Sequence, residues 1–271
     1  MGSTKSIGVF DSGIGGLTVV KRLIQSLPNE NIIYFGDTAR VPYGSKSNST
    51  VIEYSIQDTN FLISKDVKAV VVACNTASSV AISELKKHFN IPIIGMIKPG
   101  AAMAIKNSVN KRIGVIGTRS TISNKAYSQE IRTIDPSVDV YEKACPLFVP
   151  LAEEGWITHK ATIKIAEEYL QELKHLDIDT LILGCTHYPI LYEVIQNVMG
   201  DKVTLIDSGV AAALAVKQEI KRTDLENNSG DIAGGEFYVS DIPTTFKEIA
   251  ELFLGNPILD VQKVNLETLT V

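Results

Sequence analysis

Cysteine is scarce in this sequence, with three residues among 271 and no Cys-x-x-Cys spacing. An odd, small number of cysteines argues against a disulfide scaffold, and the missing spacing argues against a zinc knuckle. We therefore expect neither disulfides nor a bound metal. Free thiols fit a reducing compartment, so the expected location is cytoplasmic.

Long apolar runs and an excess of charge of one sign are also missing. No run approaches the ~18 residues of a membrane-spanning helix, and residues 1–6 lack the regions of a signal peptide. Lys and Arg number 26 against 31 Asp and Glu, for a net charge of −5. Neither a nucleic acid nor a membrane is expected as a partner.

What the sequence does contain is an alternation of short β-branched runs with longer stretches of helical spacing. The runs at 7–10, 32–35, 69–73 and 93–95 are continuously apolar, which is typical of parallel strands covered on both faces. The stretches between them repeat apolar residues at helical intervals. Strands that alternate with helices in this way predict an α/β fold with mainly parallel sheets.

An internal repeat divides the chain. IGVFDS at 7–12 resembles IGVIGT at 113–118, and AVVVACNT at 69–76 resembles TLILGCTH at 180–187. A repeat of roughly 110 residues is the size of a small domain. We therefore predict two similar α/β domains with an active site in the cleft between them.

The predicted domain limits make the first domain discontinuous. It would comprise residues 1–97 and 208–271, and the second domain residues 98–207. The chain would then cross twice between the domains, which makes a natural hinge.

Cys74 and Cys185 occupy matching positions in the repeat, directly after a strand and before a predicted helix. Ligands of open parallel sheets bind beyond the carboxyl ends of the strands, and a helix N-terminus favours a thiolate. Two equivalent thiols on opposite sides of one carbon suit racemisation, because one removes a proton and the other returns one to the opposite face. The pattern predicts a cofactor-independent amino-acid racemase.

Polar neighbours differ between the two halves. Asp11 and His187 are placed to help generate a thiolate, whereas their counterparts in the other repeat are Gly117 and Thr76. Cys145 has no repeat partner and is interpreted as structural. Three further histidines are interpreted as surface residues: His88, His159 and His175.

Five blocks of the sequence together resemble the glutamate racemase family, in the expected order and over essentially the whole chain. They are GVFDSGIGGLTV at 8–19, VPYG at 41–44, ACNTA at 73–77, CPLFVPLAEEG at 145–155 and LGCTHYP at 183–189.

The resemblance implies interconversion of L- and D-glutamate without a cofactor, for bacterial peptidoglycan synthesis, and an assembly that is often a homodimer. It implies that Cys74 handles the proton of the D-enantiomer and Cys185 that of the L-enantiomer. It further implies that Asp11, Glu153 and His187 tune proton transfer. The substrate-binding residues carried over are Asp11, Ser12, Pro42, Tyr43, Gly44, Cys74, Asn75, Thr76, Thr118, Cys185, Thr186 and His187.

Other functions remain open at this point. The run GIGGLT at 13–18, followed by Asp37 after the next strand, partly matches a dinucleotide-binding fingerprint, although Thr18 stands where the third glycine belongs. A hinged binding module of the periplasmic type is a second alternative. Racemisation of aspartate or another acid, or decarboxylation, would stay within the same superfamily.

Overall fold

The structure, a computed structural model, describes residues 2–230, 233–242, 244, 246–255 and 260–266. The predicted end of the first domain, at residue 271, lies outside the described residues. None of the helices within the described ranges is long and apolar enough to span a membrane.

Strands and helices alternate along the chain. The strands are β1 Ile7–Asp11, β2 Ile32–Gly36, β3 Ala69–Val72, β4 Ile93–Gly95, β5 Arg112–Gly117, β6 Asp139–Ala144, β7 Thr180–Gly184, β8 Thr204–Asp207, β9 Gly235–Val239 and β10 Gln262–Lys263. The helices are α1 Leu17–Ser26, α2 Asn48–Ser64, α3 Asn75–Val80, α4 Ile82–His88, α5 Ile97–Asn107, α6 Arg119–Ser123, α7 Ala126–Ile134, α8 Phe148–Glu153, α9 Lys160–Lys174, α10 Tyr192–Met199, α11 Ser208–Arg222 and α12 Phe246–Leu254. Short 3-10 turns lie at Thr38–Arg40, Tyr43–Ser45 and Tyr188–Leu191.

The strands form two parallel sheets, so the predicted fold class is confirmed. One sheet has the order β10-β9-β2-β1-β3-β4 and the other β6-β5-β7-β8. The central strands β1, β3 and β7 are buried along their whole length. Their continuous apolar runs thus reflect cover on both faces of each sheet.

The two halves of the sequence repeat adopt the same strand order. The order β2-β1-β3-β4 in the first sheet corresponds to β6-β5-β7-β8 in the second. The registers also correspond, since Phe10 pairs with Val72 as Ile116 pairs with Leu183. Strands β9 and β10 extend the first sheet by two strands beyond β2. The exact limits of the two domains stay a prediction.

Helices from both halves of the chain pack between the sheets. Helix α1 packs against α11, and α11 also packs against α5. One continuous apolar cluster includes Val9 of β1, Leu181 of β7 and Val216 of α11. The two sheets therefore share a core.

Parallel strands place the functional candidates at one edge of each sheet. Asp11 ends β1, Cys74 follows β3, Thr118 follows β5 and Cys185 follows β7. Between β1 and β3, and between β5 and β7, the order of the strands reverses along the chain. The carboxyl end of such a switch point is where open α/β sheets bind ligands.

Candidate active site

Cys74 is buried at the start of α3. It is the residue before the first turn of that helix, and its Sγ accepts a hydrogen bond from the main-chain N–H of Ala77 at 3.5 Å. The thiol donates to the Ser12 hydroxyl, also at 3.5 Å. Burial, and after it the charge of Asp11, raises the pKa of Cys74 to about 12. The helix terminus favours the thiolate as expected, through the N–H of Ala77, but burial outweighs this effect.

Cys185 has a different environment. The residues after it form a turn and then the 3-10 helix Tyr188–Leu191, so the predicted helix does not begin there but at Tyr192. The polar neighbour of its Sγ is instead His187, whose Nδ1 lies 3.7 Å away. An adjacent imidazolium, rather than a helix terminus, is thus the charged group beside Cys185.

His187 is held between Cys185 and Glu153. Its Nε2 lies 2.9 Å from Glu153 Oε1. Although burial lowers the pKa of His187, the hydrogen bonds to Cys185 and Glu153 outweigh burial and raise it to about 10. The imidazole therefore carries a proton at neutral pH. Glu153, on α8, lies more than thirty positions before Cys185 and His187 in the sequence, and the fold brings the three side chains together.

Asp11 lies fully buried near Cys74 and His187. Its Oδ2 accepts a hydrogen bond from the Gly13 N–H at 3.0 Å, whereas its Oδ1 has no partner within the described part of the chain. Burial raises the pKa of Asp11, and the charge of His187 opposes that effect. A buried carboxylate oxygen without a donor is costly, which suits an acceptor for a cationic group of a ligand.

Contacts across the cleft bring the two sheets together at this point. Thr76 Oγ1 and Thr118 Oγ1 are 2.9 Å apart, and Thr18 donates to the main-chain oxygen of Thr186 at 2.8 Å. The exposed fractions of the two cysteines are only 5% and 6%. Cys74 contacts Ser12, and Gly15, in the same loop, lies against Thr186 and His187 beside Cys185. Both cysteines therefore border the loop between β1 and α1.

Asn75 lies beside Cys74, but its side-chain amide is engaged within the protein. Its Oδ1 accepts from the Tyr127 hydroxyl at 2.7 Å, and its Nδ2 donates to Ser208 at 3.4 Å. Ser208 in turn donates to the main-chain oxygen of Leu183 in β7. Sequence reasoning missed Tyr127 and Ser208, because neither stands in a recognisable motif.

The predicted turn at Pro42, Tyr43 and Gly44 reaches the same site. Pro42 is exposed and Tyr43 is buried, and a methyl group on Gly44 would lie 3.0 Å from Thr118 Cβ. The Tyr43 hydroxyl contacts two buried carboxyl groups, of Asp37 and Asp58.

Asp37 and Asp58 were not predicted as part of this site. In the sequence, Asp37 stands out only as a possible ribose-binding acid, and Asp58 falls in a helical stretch without a motif. Asp37 is fully buried and accepts hydrogen bonds from Tyr43, Arg40 and Ser240. Its oxygens therefore do not face a dinucleotide site.

The remaining predicted residues lie as follows. Ser12 and Thr118 are half-buried, and Thr76 and Thr186 are buried. Cys145 is fully buried, and its thiol faces the main-chain oxygen of Lys143. All three remaining histidines are exposed, as predicted: His88, His159 and His175.

Two further observations bear on ligands. In the described ranges, no group of three or more His, Cys, Asp or Glu side chains could hold a metal ion. A cavity of about 1170 Å³ lies among β4, α5, α7 and α11, lined in part by Lys86, Pro92 and Arg222. Neither Cys74 nor Cys185 lines it, so the chemistry of the cysteines is separate from this opening.

Comparisons with known proteins found relatives over nearly the whole chain. The chain is 47% identical to a glutamate racemase from Geobacter metallireducens over 263 residues, covering 97% of each protein. It is 48% identical to a glutamate racemase from Chlorobaculum tepidum over 265 residues, again covering 97% of each. The fold is similar to the crystal structure of a glutamate racemase from Francisella tularensis in complex with D-glutamate. The TM-score is 0.91, the identity 40%, and the coverage 98% of this chain and 99% of that one.

A family profile gives the broader assignment. The profile of the Asp/Glu/hydantoin racemases matches residues 7–216, a span that contains strands β1 to β8 and both Cys74 and Cys185. The chain therefore belongs to the Asp/Glu/hydantoin racemase family and is an enzyme of the amino-acid racemase class.

Proposed function

We propose that this enzyme interconverts L- and D-glutamate by proton transfer between Cα and two cysteines, without a cofactor. The observation that carries the proposal is that Cys74 and Cys185, from equivalent positions of a repeated fold, are both buried and border the same loop, through Ser12 and Gly15. The similar proteins named glutamate racemases support glutamate as the substrate, and the complex of one of them with D-glutamate supports it further.

In the proposed mechanism Cys185 acts first as the base, beside the protonated His187. Cys74 acts as the acid, because it holds its proton with a pKa of about 12. The Cα–H bond of L-glutamate breaks as an S–H bond forms on Cys185. The electron pair left on Cα then takes the Cys74 proton from the opposite face, which yields D-glutamate. In the reverse direction the two sulfurs exchange roles.

The binding groups follow from the polar atoms around the sulfurs. The unpartnered Oδ1 of Asp11 would accept a hydrogen bond from the substrate ammonium group. Hydroxyl groups of Ser12, Thr76, Thr118 and Thr186 would hold the carboxylates. The remaining proposed contacts come from main-chain or packing surfaces of Pro42, Tyr43, Gly44 and Asn75, since the side-chain amide of Asn75 is engaged with Tyr127 and Ser208.

The chemical difficulty is that a thiolate is a weak base for Cα–H. General acid–base transfer contributes roughly 10²- to 10⁴-fold, so positioning and exclusion of water must supply the rest. Burial of Cys74 has two opposed effects in the D-to-L direction, because a raised pKa makes the thiolate a stronger base but also makes it scarcer at neutral pH.

Incubation of the purified enzyme with L-glutamate in D₂O, with no added cofactor, tests the proposal. We expect loss of optical rotation with deuterium at Cα of the D-product. Cys74→Ala and Cys185→Ala should each abolish turnover, whereas Cys145→Ala serves as the matched control and should retain it. Racemisation that depends on added pyridoxal phosphate would refute the mechanism, and turnover of aspartate in place of glutamate would refute the substrate.

The physiological setting is also proposed. D-glutamate made in the cytoplasm would supply bacterial peptidoglycan synthesis, and the enzyme would assemble as a homodimer, as the family resemblance implies. Growth of a bacterial strain that requires D-glutamate, restored by this gene but not by its Cys74→Ala variant, would support the role. Light scattering coupled to size-exclusion chromatography measures the assembly, and a mass equal to one chain would contradict the dimer.

A further inference from the structure

A buried cluster of charged and polar side chains lies beneath the turn that carries Tyr43 and Gly44. Asp37 follows β2, Arg40 belongs to the next short turn, and Asp58 projects from α2. The side chains of both aspartates are fully buried, and that of Arg40 is 21% exposed. Two buried carboxyl groups thus share a single guanidinium group and the hydroxyl group of Tyr43.

The hydrogen bonds of Asp37 identify it as the ionised member of the pair. Its Oδ2 accepts from Arg40 Nε at 2.7 Å and from the Tyr43 hydroxyl. Its Oδ1 lies 2.9 Å from Ser240 Oγ, which itself accepts from the Ala39 N–H and so has its hydrogen free for Asp37. All three neighbours of Asp37 are therefore donors, as a carboxylate requires.

Asp58 differs from Asp37 because Tyr43 has only one hydroxyl hydrogen to donate. The hydroxyl of Tyr43 has one hydrogen and lies within hydrogen-bond distance of both Asp37 Oδ2 and Asp58 Oδ2, the latter at 3.0 Å. If that hydrogen goes to Asp37, the contact with Asp58 needs a hydrogen from Asp58 itself. The other oxygen of Asp58 accepts from Arg40 at 2.9 Å, which a neutral carboxyl group can also do.

The charge balance points the same way. One guanidinium group offsets one carboxylate, and a second buried carboxylate would remain unbalanced, which is costly. Burial, and after it the charge of Asp37, raises the pKa of Asp58 well above its usual range, while Arg40 and Tyr43 oppose the rise. Asp11, at the reacting site, also raises it.

We propose that Asp58 is a positioning residue that holds a proton at neutral pH and donates it in a hydrogen bond to Tyr43. The resulting chain runs from Asp58 through Tyr43 to Asp37 and locks the turn Tyr43–Ser45. This proposal rests on the proposed function only in that the turn is taken to touch the substrate.

The turn has to be held accurately because it closes the site from one side. A methyl group on Gly44 would lie 3.0 to 3.3 Å from three side-chain atoms of Thr118, across the cleft. Thr118 is in turn 2.9 Å from Thr76, beside Cys74. A phenol ring released from its two carboxyl groups would shift this wall of the binding site without touching either sulfur.

Substitutions at the two aspartates test whether Asp58 is a neutral carboxylic acid or a carboxylate. Asp58→Asn keeps both bonds, since its amide N–H can donate to Tyr43 and its oxygen can accept from Arg40. We expect its KM for glutamate to stay within about twofold of wild type, whereas Asp58→Ala should raise KM roughly tenfold, with kcat within about threefold. Asp37→Asn, which removes the charge that balances Arg40, should resemble Asp58→Ala.

Glu53→Gln is the matched control, because Glu53 is an exposed carboxylate on the same helix; it should leave KM unchanged. If Asp58→Asn raised KM as much as Asp58→Ala, Asp58 would act as a carboxylate and the proposal would be wrong.

Infrared spectroscopy measures the proton directly, whether or not the variants turn over. Wild-type enzyme labelled with ¹³C-aspartate should show, at neutral pH, a carboxylic-acid C=O band that Asp58→Asn removes and Glu53→Gln preserves. Absence of any such band in the wild type would overturn the proposal. A wild-type enzyme that has the band but does not racemise glutamate would instead refute the proposed function alone.

Discussion

The two cysteines have equivalent positions in the fold but unequal surroundings. Cys74 is next to Asp11 and the Ser12 hydroxyl, and its pKa is raised to about 12 by burial and by the charge of Asp11. Cys185 is next to His187, which is protonated at neutral pH because its pKa is about 10. The asymmetry follows from single residues of the repeat, where Asp11 corresponds to Gly117 and His187 to Thr76.

At the residue scale, Glu153→Gln should alter the pH profile. His187 is protonated below its raised pKa and loses that proton as the pH rises through about 10. Without the Glu153 carboxylate this pKa falls, so the alkaline limb of kcat/KM for L-glutamate should move to lower pH, with a loss of about threefold to tenfold. The shift stays modest because Glu153 is 40% exposed and its charge is screened by solvent.

The control for this prediction is the neighbouring Glu154→Gln, since Glu154 is exposed and has no bond to His187 in the described contacts. Its profile should match that of the wild type.

The raised pKa of His187 also makes the stability of the fold depend on pH. The contribution of His187 is fully present below pH ~6.5, the ordinary histidine pKa, and is lost as the pH rises through about 10. An alkaline limb unchanged by Glu153→Gln would mean that Glu153 does not tune His187.

Gly15→Ala tests how closely the two halves approach each other. A methyl group at Gly15 would overlap Thr186 Oγ1 and the His187 ring. We expect kcat/KM to fall by about 100-fold, because a displacement of ~1 Å at a catalytic group costs that much. Gly234→Ala is the control, since its methyl group would lie 3.8 Å from Asn31 in ordinary contact, and steady-state kinetics should not distinguish it from wild type.

At the scale of elements, hydrogen bonds between helix and loop also hold the site. Thr18 of α1 donates to the main-chain oxygen of Thr186, in the loop after β7. Arg22 of the same helix bonds Asp207, which caps the start of α11 at the second crossing between the sheets. Helix α1 thus links both the loop and the crossing to the first sheet.

Thr18→Val should reduce stability while it preserves the shape of the side chain. The buried carbonyl of Thr186 would lose its donor, at a cost of about 1–3 kcal/mol in the free energy of unfolding. Urea unfolding monitored by circular dichroism measures the change. Thr18→Ser keeps the hydroxyl and should recover most of the loss; equal destabilisation by both variants would assign the effect to packing.

At the scale of the whole molecule, the two sheets share one apolar cluster that also includes α11 and α12. Shared cores favour a single cooperative transition. The repeat in the sequence suggests two units that could unfold one after the other, but the shared cluster argues that they unfold together.

The lone tryptophan permits a direct test of this cooperativity. Trp156 lies between α8 and α9, in the second half of the repeat, so its fluorescence reports that half alone. We expect its urea midpoint to coincide with the midpoint from far-ultraviolet circular dichroism, which reports both halves. Two separate midpoints would show that the halves unfold independently, and a Trp156→Phe variant would check that the probe itself is neutral.

The sequence alone was sufficient for the fold class and the repeat, and it made the two cysteines the candidates for catalysis, because each of these depends on local pattern. Continuous apolar runs predicted the parallel strands, and equal spacing from those strands singled out Cys74 and Cys185. Asp11 and His187 were found in the same way, as the polar residues nearest to the cysteines along the chain.

Only the tertiary structure decided how those residues are tuned. The thiolate expected at Cys74 from a helix terminus is disfavoured by burial, and burial depends on how both sheets close. The contacts of Tyr127 and Ser208 with Asn75, and of Asp58 with Tyr43, join positions far apart in sequence. Local sequence patterns do not report contacts between residues that are far apart in sequence. The protonation and the positions of these side chains are therefore decided only in the folded structure.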